Sequence, residues 1–172
     1  MEIPPAHRFY GKYRGMVLNN IDPQSRGRML VQVPDVTGIG TSSWAMPCFP
    51  FTGQKMGWYA LPQIGAGVWV EFEAGNPDQP IWTGCWYGRS SELPSAASAA
   101  PPVLPSVVIA SQAQNVIELN DVPGTGGIIL KCRSGAKIEI TDIGITLDNG
   151  RGAKIEMLGP QINLNSGALT II

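Results

Sequence analysis

Histidine occurs once in these 172 residues, as His7, and cysteine three times, as Cys48, Cys85 and Cys132, far apart and in no CxxC arrangement. That odd, scattered set excludes a zinc site and a disulfide framework, and three buried free thiols are expected instead. Charged residues make up 15% of the chain and the formal net charge is −1, so no basic field advertises a phosphate-rich partner. No convincing helical stripe occurs outside a short turn expected in 95–100, and with 21 Gly and 15 Pro long helices are excluded. Neither an 18-residue apolar run nor an apolar core in MEIPPAHRFYGKYRG is found, so no membrane span and no signal peptide are expected, and the protein is expected to be made and assembled in the cytoplasm.

What is present is short strands. The most patterned stretch is Leu61 to Gly88, in which Val68, Val70 and Phe72 alternate with Trp69, Glu71 and Glu73, the period of a strand with one buried face. Asn76-Pro77-Asp78 supplies a turn, and Pro80 to Gly84 a returning strand, which predicts a β-hairpin. Upstream, Tyr10 to Asn19 reads as a strand with Tyr13, Met16 and Leu18 inward, and Met29, Val31 and Val33 alternate in a second that ends at Pro34. Residues 38–58 read as a Gly, Ser and aromatic loop. About five short strands in about 80 residues suit a small barrel such as an OB-fold.

From Arg89 the chain turns to Ser, Ala and Pro, and 89–106 reads as a linker. Beyond it Ser134-Gly135-Ala136, Arg151-Gly152-Ala153 and Ser166-Gly167-Ala168 each precede a short apolar strand, an internal repeat that points to a stacked β architecture. The inward positions are Ile117, Leu119, Ile128, Leu130, Ile138, Ile140, Ile145, Leu147, Ile155, Met157, Ile162 and Leu164, followed by Leu169 and Ile171, while Lys137, Glu139, Lys154, Glu156, Asn163 and Asn165 form a polar outer face. Two or three apolar residues per strand stabilise a core only if something covers them, so several identical chains are expected to wind together, each strand pairing with a neighbour's.

The pieces Tyr10-Gly11-Lys12-Tyr13-Arg14-Gly15, Asp22-Pro23, Gly27-Arg28 leading to Val31-Gln32-Val33-Pro34, and the series Pro62, Gly65, Val68, Val70, Phe72, Gly75, Pro77, Pro80 and Gly84 resemble the phage baseplate assembly protein V and VgrG family, the central spike proteins of contractile tails and contractile injection systems. The resemblance covers residues 10–88 by letters and the tail by architecture. It implies an all-β chain with an N-terminal arm over 1–9, an OB-fold over 10–88, the linker over 89–106 and, over 107–172, a triple-stranded β-helix needle formed by three chains. It also implies a homotrimer in the baseplate of a phage or phage-tail-like particle, puncturing an envelope mechanically and meeting the target membrane only then.

Its neighbours would be a separate baseplate hub protein, the inner tube protein and, against Leu169, Thr170, Ile171 and Ile172, a PAAR-type tip protein. A His-x-His iron site known in some simple spikes has no counterpart here, and no metal, other cofactor or nucleic acid is expected. Catalysis is not expected either: Glu71 and Glu73 read as a solvated face, Asp121, Asp142 and Asp148 as turn residues, and His7 stands in a Pro-rich terminus. The alternative is an OB-fold binding module for single-stranded nucleic acid or a protein partner, with Trp44, Trp58, Tyr59, Trp69, Trp82, Trp86 and Tyr87 stacking and Arg14, Arg26, Arg28 and Lys55 supplying charge.

Overall fold

The structure, a computed structural model, describes residues 7–166 and 168–171, and the chain divides into two units, Met1–Gly88 and Arg89–Ile172. In the first unit the strands are β1 (Tyr13–Asn19), β2 (Leu30–Gln32), β3 (Met46–Pro47), β4 (Thr52–Gly53), β5 (Met56–Gly57), β6 (Gly67–Phe72) and β7 (Pro80–Trp86). Five of them form one sheet in the order β2-β1-β6-β7-β3. The sheet curls onto itself where Met29 and Ala45 exchange both backbone hydrogen bonds, 3.1 and 2.8 Å, while Met46 pairs with Ile81 in parallel. This is the OB-like curled sheet that the strand count predicted.

The hairpin forms as read. Val68, Val70 and Phe72 are buried on β6, which pairs antiparallel with β7. Trp69 faces Gly84 and Val70 faces Trp82, so Thr83 is an extra residue that bends β7 and hastens its twist. Gly65 has φ 86° and donates its N–H to the Val17 carbonyl at 2.8 Å; Gly75 has φ 74° and is buried against Tyr10. Pro80 is fully buried at the start of β7, and the Pro62 carbonyl accepts from Asn20 Nδ2 at 2.8 Å.

Three expectations need correction, the last of them reaching into the second unit with Cys132. The inward residues of β1 are Tyr13, Gly15 and Val17, whereas Met16 is 42% exposed and Leu18 only half-buried. The reason is Gly15: a Cβ there would stand 3.0 Å from Val70 Cγ2 and 3.1 Å from the Gln32 carbonyl, so the strand turns its smallest residue to the crowded side. A four-residue helix, α1 (Pro34–Thr37), follows β2, with Pro34 in the first turn where its missing N–H costs nothing, and it is too short to show an apolar stripe. Cys48, Cys85 and Cys132 are exposed, not buried; Cys85 stands opposite the buried Val68 near the end of β7.

In the second unit, α2 (Ser95–Ala99) lies in the Ser/Ala/Pro stretch, where the short turn was expected. Then come β8 (Val107–Ala110), β9 (Val116–Asn120), β10 (Gly127–Lys131), β11 (Lys137–Thr141), β12 (Gly144–Asp148), β13 (Lys154–Leu158), β14 (Gln161–Leu164) and β15 (Leu169–Ile171). They make one antiparallel meander in strict sequence order. Each inner strand therefore pairs with its own chain neighbours, and the expectation that it would pair with another chain's strand is corrected: the turns are short enough to close hairpins within one chain.

Candidate functional site

The meander's side chains fall into rows across the strands. One row runs Ile109, Ile117, Leu130, Ile138, Leu147, Ile155, Leu164, Leu169, each opposite the next. A second runs Val107, Leu119, Ile128, Ile140, Ile145, Met157, Ile162, Ile171. Because side chains alternate between faces, both rows lie on one face of a sheet roughly 17 by 34 Å. The fifteen of these positions with described side chains are all apolar, so they bring no polar group that would need a partner when covered.

The face is bare in the single chain. Ile117, Leu119, Ile128, Leu130, Ile138, Ile140, Leu147, Ile155 and Ile162 are 36–47% exposed, and Ile145, Met157 and Leu164 only half-buried. A trough of about 920 Å³ lies over the first row. Covering what remains open contributes roughly 1 kcal/mol per residue, about half of the 1.5–3 kcal/mol of full burial. Sequence reasoning omitted Val107 and Ile109, whose alternation in Val107–Ala110 was the available signal. Ile172 and the side chains of Thr170 and Ile171 lie outside the described residues, so the site assigned to a tip partner is placed only by the backbone register of Leu169 and Ile171.

The opposite face sets Lys–Glu pairs among Val108, Val116, Ile129 and Leu158. Lys137 pairs with Glu139, and Lys154 with Glu156 at 2.6 Å, which holds the Lys154 ammonium above its usual pKa. Asn165 lies in a turn rather than on the strand face and accepts from the Lys154 N–H at 2.9 Å. At the turns, Asp148 accepts from Gly150 N–H at 2.7 Å and Asn149 from Ala153 N–H at 3.0 Å, the side-chain-to-backbone bonds expected of such residues. Gly144 is needed for closeness, since a Cβ there would stand 2.2 Å from the Met157 carbonyl. Cys132, beside the trough, has its thiol drawn below the usual range by hydrogen bonding to Ser134.

On the first unit, the residues weighed for stacking and charge are mostly engaged within the chain. Trp82 is buried and donates Nε1–H to the Gly27 carbonyl at 3.1 Å. Arg28 forks onto Asp22, with Nη2 to Oδ1 at 2.7 Å, and lies 5.4 Å from the Trp44 ring. Asp22 also accepts from the Gln24, Arg26 and Arg28 N–H groups, and this set of donors, Arg28 first, holds its carboxyl far below the usual range. Arg14 lies over both Trp69 and Trp86, at 5.8 and 5.3 Å. Glu71 is paired with Lys12 at 2.9 Å, Glu73 begins a 3-10 turn, and His7 packs edge-on against Phe9. Among the described residues no group of His, Cys, Asp and Glu is placed to hold a metal ion, and no helix is long and apolar enough to cross a membrane.

Comparison with known proteins accounts for both units. Residues 13–87 match the type VI secretion system/phage-baseplate injector OB domain, and residues 106–170 the phage baseplate V C-terminal trimerisation domain. The type VI secretion system spike protein VgrG5 of Pseudomonas aeruginosa is 32% identical over 87 residues, 51% of this chain and 10% of that protein. VgrG4b of the same organism, also a type VI secretion system spike protein, is 33% identical over 105 residues, 59% of this chain and 12% of its own. A third such spike protein, VgrG3 of Vibrio cholerae, is 32% identical over 92 residues, 52% of this chain and 9% of its own. The chain spans about a tenth of the length of these relatives. With an injector OB domain followed by a trimerisation domain, an uncovered two-row apolar face in the second, and VgrG spikes as relatives, the chain belongs to the phage baseplate V and VgrG family of spike proteins.

Proposed function

We propose that the chain is the homotrimeric central spike of a contractile tail or contractile injection system, and that it punctures the target envelope mechanically. The observation that carries this reading is the pair of unbroken aliphatic rows across eight strands, left uncovered by the chain's own fold. Three such faces turned to one axis bury Ile117, Leu119, Ile128, Leu130, Ile138, Ile140, Ile145, Leu147, Ile155, Met157, Ile162 and Leu164 in a shared needle core, with Val107 and Ile109 extending it upward. The lysine and glutamate rows then face water. Residues 10–88 serve as the OB-fold domain, 89–106 as the connector and 107–172 as the spike.

Its role is stiffness rather than chemistry. Opening one strand breaks two ladders and uncovers a core shared by three chains, so the needle resists unfolding under load. The partners of this reading are a baseplate hub, the inner tube and a PAAR-type protein at the Leu169 to Ile172 end. Particles from cells lacking the chain test it: they are expected to fail in baseplate assembly or in killing. Normal particles without the chain would overturn the reading.

A further inference from the structure

The first unit carries an exposed apolar patch that meets its core where Tyr59 packs against the Phe49 ring, 5.6 Å away. In the β4–β5 hairpin and its flanks, Phe51, Met56, Trp58 and Tyr59 are 52%, 65%, 47% and 64% exposed, and the only charge between Phe51 and Tyr59 is Lys55 at the turn. At 150–250 Å² for each large side chain, they offer roughly 500 Å² of open apolar surface. That is large for a patch with no task and short of the ~800 Å² per partner of a standard stable interface. A freely diffusing protein would gain little by binding it. A second copy of the same unit is in a different position, because trimerisation tethers three copies through roughly twenty residues each and holds them at millimolar effective concentration.

We propose that the hairpin Thr52–Gly57 docks on the OB unit of a neighbouring copy, making a second ring of contacts in the trimer in addition to the needle. This rests on the homotrimer proposed above. Two-residue strands make a marginal hairpin by themselves, and cover from a neighbour supplies the order that β4 and β5 lack. Phe51 and Trp58 are the anchors: the Trp58 N–H donates to the Phe51 carbonyl at 3.1 Å, which sets the two side chains at the hairpin's base.

The test uses the full chain with Cys48→Ser, Cys85→Ser and Cys132→Ser, and Lys55→Cys carrying a nitroxide, with spin–spin distances between copies measured by pulsed electron resonance. The result expected is one narrow distance distribution that broadens at least twofold on adding Phe51→Ser and Trp58→Ser, while light scattering still gives the mass of three chains. A broad distribution without those two changes, or a narrow one that survives them, overturns the docking and leaves the trimer standing. A single-chain mass for the labelled parent overturns the trimer and the docking with it.

Discussion

The two units solve the problem of burial in opposite ways. In the first, Val17, Met29, Val31, Val33, Val68 and Val70 are completely buried by a sheet of five short strands that closes on itself. In the second, eight strands in perfect order leave the described side chains of their apolar rows, from Val107 to Leu169, at least partly open. A curled sheet hides its own inner face, whereas the meander leaves its apolar face open. The first unit therefore holds its core within one chain, and the second holds half a core and requires copies of itself. Fold stability and assembly are the same quantity in the second unit and separate quantities in the first.

The sharpest way to break this contrast is Ile138→Asp or Leu147→Asp. Either puts three carboxylates into one layer of the shared core, at several kcal/mol each unless they become protonated. Trimers should be lost while the first unit keeps its own thermal transition, and calorimetry together with mass would show both. Undiminished trimers would mean that these side chains face water. Met29→Ala makes the reciprocal case: a cavity in the barrel should cost about 2–5 kcal/mol. The barrel's transition should then fall while the trimer's mass stays unchanged. If the mass falls as well, the units are not independent.

Acid gives a smaller effect and separates the units by charge. The Asp22 carboxyl is held below its unfolded value by Arg28 and three backbone donors, so its contribution to stability is complete above pH ~4. That contribution is lost as pH falls from there toward the folded-state value. The barrel of Asp22→Asn should be weaker at neutral pH and lose less on acidification, as thermal scans from pH 7 to 2 would reveal. The needle's Lys137–Glu139 and Lys154–Glu156 pairs are partly open to solvent and should matter little. Smallest of all is Met16→Ser, expected within ~0.5 kcal/mol because the side chain faces solvent; a large loss would restore the inward assignment.

Much of the contrast was legible in the letters. Alternation in Val68 to Phe72 and in Met29 to Val33 named the barrel's inward face, and the isoleucines of Lys137-Ile138-Glu139-Ile140 and Lys154-Ile155-Glu156-Met157 named the apolar face of the second unit's sheet. What failed did so for local reasons. Gly15 has no side chain to weigh, so β1 was read one residue out of phase. Strand pairing in the tail was assigned to neighbouring chains because a lone chain of such short strands would leave open edges and a half-exposed core; short turns close the strands within one chain, and the half-exposed face remains.

The most direct test is therefore the solution mass of the purified chain by light scattering across a dilution series. A shared needle core predicts three times the 18.4 kDa chain, about 55 kDa, persisting on dilution. A soluble 18.4 kDa monomer with the tail folded would contradict it, because the two aliphatic rows would then have to remain uncovered in water.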